Sequence, residues 1–541
     1  MSKHNKIEPW LELSQPLYHL NNIQKIDDYR LAPVQGNNNL DGGQQISFFK
    51  PKDGTFVRLA DAYLEFVIVY NTQSPAGTAL DGADVSFEND FVSKMFTSVE
   101  IYIGNVPIEV INPSYIASEL IGIASYSTDE DRYAGASFGW FPDYGAGAPE
   151  ITPSTILQAL LWSLPNGNIT GTAANPSVIS FSVPNVGGAA LANAVAIEAI
   201  TNTLTSNMVM SGTGNTNNSG YLRRKIFYNK PQSVLSGGAA GGNPGVAGTQ
   251  RSVTLCVPLY HFFQSVGTYD KVLFNLQIDI RLNRMSATGT TPGNTTLAPG
   301  ASVGRIIYAQ SANCTIGINT TNINLILPQY KLTELGKELY MREAIKEQNM
   351  ICLTRWMQAK QNIPLSTTSI TYDLGTRANV PRFVIIGFKN NTYGGNVVID
   401  NPAYNNSLYT HAYVTNMIIF VAGERYPYSD FNCDFSNNKY QWPYKMFRDF
   451  SKKMGFSPSL DYIDFRDRFP IFCFDLSARL PALDENKNSA SVQLQITRAP
   501  PAAGQFGYLA GDSVDVYGLL LIEKTFKLDF VSGVCNNFQP N

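Results

Sequence analysis

The sequence predicts an all-β protein in which one β-sandwich is built twice, and three observations carry that prediction. The first is a repeated strand and turn. Tyr63-Leu-Glu-Phe-Val-Ile-Val-Tyr70 runs into Asn71-Thr72, and Arg382-Phe-Val-Ile-Ile-Gly-Phe388 runs into Lys389-Asn-Asn391-Thr392, an offset of about 320 residues. The second is the next strand, which repeats in the same order. Thr97-Ser-Val-Glu-Ile-Tyr-Ile103 leads to Gly104-Asn105 and Val106-Pro107, and Thr415-Asn-Met-Ile-Ile-Phe-Val421 leads to Ala422-Gly423 and Tyr426-Pro427. The third is punctuation: 30 Pro and 43 Gly separate short apolar runs, as expected of many strands joined by irregular loops.

At 541 residues the chain is too long for one core. Only 15% of it is charged, against about a quarter in an ordinary soluble protein, while 28 Tyr and 30 Phe bring aromatics to 12%. Such a chain buries an unusually large fraction of itself or covers much of its surface with partners. The net charge of −3 provides no field to recruit nucleic acid or an anionic membrane. Met1-Ser-Lys-His-Asn-Lys-Ile7 has a little positive charge and no apolar centre, so neither a signal peptide nor a polybasic packaging arm is expected. No apolar run approaches the roughly 20 residues that span a bilayer, so no transmembrane segment is expected.

Taken in order, residues 1 to about 40 are polar, rich in Asn and Gln and without periodicity, and read as an arm that orders against something else. Strands are expected from Ile46 to Val110. Ala62, Leu64, Phe66, Ile68 and Tyr70 form one apolar face, and Tyr63, Glu65, Val67 and Val69 form a second, mostly apolar one that reads as packed too. A helix is expected near 112–125. The stretch 126–250, rich in Gly, Ala, Asn, Ser and Thr, reads as an exposed projection with one short helix near Pro153–Leu164. Val272–Ile280 reads as one strand, and Pro328 as the end of the first copy. The helix expected over Leu332–Asn349 carries Leu332, Leu335, Leu339 and Ile345 on one face and a Glu338–Arg342 pair. In the second copy a helix is expected near 436–454, then strands at Val492–Ile496 and Ser513–Ile522.

Residues that carry chemistry are scarce. His4, His19, His261 and His411 leave little for acid–base work or for zinc. Cys256, Cys314, Cys352, Cys433, Cys473 and Cys535 show no metal spacing and read as buried, reduced core residues. Gly212-Thr-Gly214 begins a dinucleotide fingerprint that Asn217 breaks. Gly135-Ala-Ser137-Phe-Gly139 fits a nucleophile elbow but lacks the strand before it and the helix after. Tyr440, Trp442, Tyr444, Lys445, Arg448, Lys452 and Lys453 interleave rings and bases; stacking on nucleic acid is one reading, and a helix with a solvated basic face is favoured over it. Asn319-Thr-Thr321 and Asn405-Asn-Ser407 are incidental glycosylation triplets. No catalytic, cofactor-binding or metal residue is assigned, and no cofactor is expected.

Several stretches together resemble a known family. Arg468-Phe-Pro470-Ile-Phe-Cys-Phe474-Asp475-Leu-Ser477, Ser491-Val-Gln-Leu-Gln-Ile496 and Val414–Val421 with Arg425-Tyr-Pro427 resemble the double jelly-roll major capsid proteins of virophages and Polinton-like viruses, in the adenovirus-hexon lineage. Val257-Pro-Leu-Tyr-His261-Phe-Phe and Arg281-Leu-Asn-Arg284 extend the resemblance to the first copy. It implies two tandem eight-stranded jelly rolls, a homotrimeric pseudo-hexagonal capsomer and an icosahedral shell. It implies self-association, contact with penton and minor capsid proteins, no sequence-specific nucleic-acid binding, no enzymatic activity, and a place in the virion after assembly inside the host cell. The expected division is an arm at 1–40, a first jelly roll at 41–328 with its insertion at about 126–250, a helical connector at 329–350 and a second jelly roll at 351–541. Two other readings stand beside it. One is a two-domain β-sandwich carbohydrate-binding protein or glycosidase in which Trp140, Tyr144 and Trp162 stack on sugars; the other is a viral spike or receptor-binding protein.

Overall fold

The computed structural model describes residues 22–34, 45–73, 85–144, 168–171, 179–182, 220, 223–224, 251–284, 306–309, 315–346, 349–374, 381–401, 404–421, 423–455, 459–477, 492–501, 508–529 and 533–537. Eight strands make the first unit: β1 (Ile23–Leu31), β2 (Gln45–Lys50), β3 (Tyr63–Gln73), β4 (Phe96–Ile103), β5 (Val106–Ile111), β6 (Arg251–Pro258), β7 (Ile278–Arg284) and β8 (Thr315–Leu332). Eight more make the second: β9 (Asn349–Met357), β10 (Ser369–Asp373), β11 (Phe383–Tyr393), β12 (Val414–Val421), β13 (Glu424–Tyr426), β14 (Phe472–Asp475), β15 (Val492–Arg498) and β16 (Ser513–Asp529).

The two units share one topology. In the first, one antiparallel sheet runs β1-β8-β3-β6 and the other β2-β7-β4-β5; in the second the orders are β9-β16-β11-β14 and β10-β15-β12-β13. Each is the first, last, third and sixth strand of its unit facing the second, seventh, fourth and fifth, the strand order of a jelly roll. Short pieces extend the sheets, among them Phe56–Val57, Gln361–Pro364 and Val534–Asn537. The repeat holds to the register. Tyr63 pairs with Ile326, which pairs with Arg30, and Phe383 pairs with Leu521, which pairs with Arg355. A cis proline follows the fifth strand of both units, at Asn112-Pro113 and Tyr426-Pro427.

Alternation places Leu64, Phe66 and Ile68 of β3 inside the first sandwich, as their spacing requires. The opposite face is only half covered at Tyr63, Glu65 and Val67, so the packing expected on both sides holds on one. A single cluster of buried apolar residues runs through both units. Between the fifth and sixth strands each unit has a helix, α1 (Ser114–Ser125) in the first and α5 (Gln441–Lys453) in the second. The other helices used below are α2 (Leu259–Phe262), α3 (Gln264–Thr268), α4 (Glu334–Lys346) and α6 (Tyr462–Asp467).

Several sequence-based expectations need correction. Part of the arm expected at 1–40 is a strand: β1 pairs with β8 along its length. It escapes notice because most of Ile23–Leu31 is exposed and its charges carry no alternation. Pro328 does not end the first unit, because β8 passes through it to Leu332. On the β3 side the ladder stops at Tyr63–Ile326, so at 328 there is no β3 partner for the missing N–H to serve. The strand expected at Val272–Ile280 is two pieces, Leu273–Phe274 and β7, separated at Asn275, whose φ is 52°. Helix α4 buries Gly336 and Tyr340; of the expected stripe Leu332 is buried at the end of β8, Leu339 is half covered, Leu335 is exposed and the Ile345 side chain lies outside the described residues, while Tyr340 donates to the Val272 carbonyl at 2.8 Å. Its ion pairs include Lys337–Glu334 and Arg342–Glu343 instead of Glu338–Arg342.

Candidate functional site at the junction of the two units

Charges are rare in this chain, and a disproportionate share of them lie buried where one unit meets the other. Helix α1 is apolar almost all round, which is the pattern of a helix enclosed on every side. It carries one acid, Glu119, fully buried. Lys389 reaches Glu119 from β11 of the second unit, Nζ to Oε2 2.5 Å, and also donates to the Asn406 carbonyl at 2.6 Å. Tyr409 donates its hydroxyl to the same carboxylate at 3.0 Å. Beside them Lys94 lies 3.5 Å from Glu119 and 3.7 Å from Glu88. Lys94 donates to Ser407 Oγ at 2.8 Å, and Ser407 in turn donates to Glu88 at 2.6 Å. Two acids and two bases thus form a neutral buried quartet, three from the first unit and one from the second.

A second knot lies at β9. Arg355 is buried, and its guanidinium donates to the carbonyls of Tyr260, His261 and Phe262 at 3.0, 2.8 and 3.1 Å, at the end of α2. A cation there is favoured by the carbonyl end of the helix backbone. The Arg355 amide donates to Glu109 at 2.8 Å, and Glu109 also accepts from the amides of Gln264 and Ser265 at 3.2 and 2.8 Å. A third knot joins Asp143 to Arg224 at 2.7 Å and to the Asn405 amide at 3.0 Å, while Arg468 donates to the Asp143 carbonyl at 2.8 Å.

Burial sets the titration of these groups. It lifts the Glu88 carboxyl above its ordinary range and pushes Lys389 and Arg355 below theirs, with the opposite charges nearby resisting each shift. Asp131 is raised by burial to about 6, held back by hydrogen bonds from Ser459, Trp140 and Tyr144. Removing four charges from water is costly, and their mutual attraction repays that cost only in the docked geometry. The junction therefore specifies one relative placement of the two units.

Residues singled out in the sequence lie elsewhere or do something plainer. Ser137 is in a single 3-10 turn and donates to the Ala134 carbonyl at 2.7 Å, with no strand leading to it. His261 Nε2 meets both Ser93 at 2.9 Å and Asp90 at 2.7 Å, and its Nδ1 meets Tyr126. A relay needs the acid on the nitrogen opposite the serine, so this buried group is not arranged as one. Trp140 and Tyr144, expected on the surface, are buried and donate to Asp131 at 2.7 and 2.8 Å, which removes them as a sugar platform. In α5 the side chains of Pro443, Phe447 and Phe450 are buried and Tyr440 stacks on Tyr462 at 4.1 Å, leaving the bases on the outer face. Cys352, Cys433, Cys473 and Cys535 are buried as expected, but Cys256 is exposed, because it points away from the core of β6. Asn405 is buried in the third knot rather than presented as an acceptor.

Trp162, Gly212, Gly214, Cys314, the short helix near 153–164 and most of the 126–250 insertion lie outside the described residues; of its described parts, 126–144 is largely buried rather than projecting. Among the described residues no cluster of His, Cys, Asp and Glu suits a metal ion, and no helix is long and apolar enough to cross a membrane. The buried knots were missed in the sequence, although they leave a signal. Lys94, Glu119 and Arg355 are lone charges inside apolar runs, such as Ile116-Ala-Ser-Glu119-Leu-Ile-Gly-Ile123.

Residues 245–499 match the family described as Double jelly roll-like domain, a span that runs from β6 through β15. No curated protein matches the chain. Among solved structures it aligns with one from the Sputnik virophage, determined by cryo-EM, at 11% identity and a TM-score of 0.52, covering 99% of this chain and 93% of that one. The mavirus major capsid protein aligns at 13% identity and a TM-score of 0.47, covering 94% and 90%. The Faustovirus major capsid protein aligns at 9% and 0.47, covering 93% and 90%. At such identities the likeness is one of fold. With the same strand order in both halves and a family match that crosses from one half into the other, the fold is a double jelly roll, and the two units are its two jelly rolls.

Proposed function

We propose that the protein is a viral major capsid protein that forms pseudo-hexagonal homotrimers and assembles them into an icosahedral shell. The observation that carries this reading is the duplicated jelly roll locked at a buried charged junction. Two equivalent lobes held in one orientation are what a trimer needs to present six similar lobes to a hexagonal lattice. The low charge of 15% supports it, since large permanent interfaces are depleted in charge at their centres. The solved structures of similar fold include chains named as major capsid proteins. In this role the protein is a building block without catalytic residues, and its partners are other copies of itself, then penton and minor capsid proteins. It resides in the virion after assembly in the host cell. Residues 1–21 tie one trimer to the next or to an inner layer.

The test is to express the chain alone and weigh it by native mass spectrometry while imaging it by negative stain. A species near three times the 59.5 kDa chain mass with a six-lobed outline is expected. A two-lobed monomer at every concentration tried would overturn the proposal. Removing residues 1–21 is expected to leave trimers intact and lower the yield of shells.

A further inference from the structure

The outer face of the β9-β16-β11-β14 sheet is covered by the first unit of the same chain. Arg355 is 3% exposed against α2 and α3, Ile385 is buried, and a Cβ on Gly387 would lie 2.8 Å from Leu120 of α1, whereas Phe383 packs on Phe450 of α5 in its own unit. The register described above assigns each of these positions a counterpart in the first unit. Arg355 corresponds to Arg30 and Leu353 to Asp28 on the first strand, and Ile385 and Gly387 correspond to Glu65 and Val67 on the third; the cover ends before Ile351, which is 54% exposed. Among the described residues, this counterpart face is open. The Arg30 side chain is 61% exposed, Asp28 is exposed, and Glu65 and Val67 are half covered.

The element that covers the second unit's face also has a counterpart. It is α1, between the fifth and sixth strands, and in the second unit that position belongs to α5. Helix α1 is enclosed, whereas α5 exposes Trp442, Lys445, Arg448 and Lys452, with Asp449 the one acid among them. The charges complement each other. In the junction within the chain the helix supplies the acid, Glu119, and the strand the base, Lys389; here the strands supply Asp28 and Glu65 with one base, Arg30, paired to Glu65, and the helix supplies Lys445, Arg448 and Lys452 with one acid, Asp449, paired to Lys445.

We infer that the open face of β1 and β3, centred on Asp28, Arg30, Glu65 and Val67, is the docking surface for the basic outer face of α5 in a second copy of this chain. The contact is head to tail: the second unit of one copy covers the first unit of the next, repeating the junction within the chain. Contacts of this kind close into a ring when the rotation allows. The inference deepens the capsomer reading and rests on it.

The test is charge reversal read by native mass spectrometry. The sheet-face variant D28K/E65K and the helix-face variant K445E/R448E/K452E are each expected to lose the trimer at a concentration where the unaltered chain is trimeric. The chain carrying all five substitutions is expected to regain it. Because Glu65 also pairs with Arg30 within the chain, melting temperature is followed in parallel, and recovery in the five-fold variant distinguishes a lost contact from a damaged fold. An unaltered chain that is monomeric overturns the capsomer reading. An unaltered trimer that both variants leave intact, or that the five-fold variant fails to restore, overturns this docking surface and leaves the capsomer reading standing.

Discussion

Replacing Lys389 with Met removes the one cation that the second unit contributes to the buried quartet while keeping the length and volume of the side chain. Three interactions are lost: the 2.5 Å bond to Glu119, the 2.6 Å bond to the Asn406 carbonyl, and the ammonium placed 4.5 Å from the Tyr409 ring centre. What remains is two buried carboxylates sharing Lys94, a buried net negative charge. Breaking a buried pair from one side costs about 3–5 kcal/mol, most of it the penalty of the stranded partner. For a cooperative unit of about 200 residues this lowers the melting temperature by roughly 10 °C. The diagnostic step is the double variant K389M/E119Q, which leaves the neutral Glu88–Lys94 pair. It is expected to recover at least about 2 kcal/mol relative to the sum of the single changes, as coupled neighbours do. Urea unfolding of the four proteins, followed by tryptophan fluorescence, gives the cycle. A K389M cost below about 1 kcal/mol, or strict additivity in the double variant, refutes the claim that the junction is held by compensated buried charge.

Three further outcomes are expected. Arg355→Met strands three carbonyls at the end of α2 beside the Glu109 carboxylate and costs about 3–5 kcal/mol in the same unfolding assay; Arg355→Lys rescues less than half, since an ammonium cannot address three acceptors in one plane. Gly387→Ala places a methyl 2.6 Å from the Tyr409 ring and 2.8 Å from Leu120, and overpacking of that kind lowers stability by about 1–3 kcal/mol without altering secondary structure by circular dichroism. Two buried groups oppose each other in acid. Asp131, whose carboxyl is raised to about 6, takes up its proton more readily folded than unfolded, so it adds stability as pH falls through 6 towards 3.8. His411, depressed by burial to about 4, stays neutral while the unfolded chain charges, so it removes stability as pH falls from 6.5 to 4. Asp131→Asn is therefore expected to lose more stability than the unaltered protein between pH 6.5 and 4, and equal slopes would contradict the assignment.

The strands of each core were legible because a buried strand must keep apolar residues at fixed intervals, and β3, β4, β11 and β12 do so in both copies. The resemblance of a few packing stretches supplied the pairing order, which local patterns cannot give. Strand β1 was illegible for a physical reason: Ile23-Gln-Lys-Ile-Asp-Asp-Tyr-Arg-Leu31 has little to bury within its own chain, so it shows no alternation. The junction was illegible for another. Glu119 and Lys389 are separated by 270 residues, and a lone charge in an apolar run announces that it is buried without naming its partner. Trp140 was misjudged because its Gly-rich neighbourhood suggests an exposed loop, whereas its indole N–H is satisfied internally by Asp131 at 2.7 Å.

The placement of β8 also sets a timetable for synthesis. Strand β3, complete at residue 73, must wait for a partner that begins at residue 315, with the whole insertion translated in between. At about 5–20 residues per second the delay is on the order of tens of seconds. During that interval Leu64, Phe66 and Ile68 have β6 as their neighbour for only the last part, so the nascent chain carries sticky, unpaired strands for most of its time on the ribosome. Ribosome-held chains ending before residue 315 are accordingly expected to be cut by protease within β3, and chains extending well beyond residue 332 to resist. Equal resistance at both lengths would show that the first jelly roll does not wait for its last strand. The chain thus begins with strands that need shielding, and the length of that interval is written in the order of its strands.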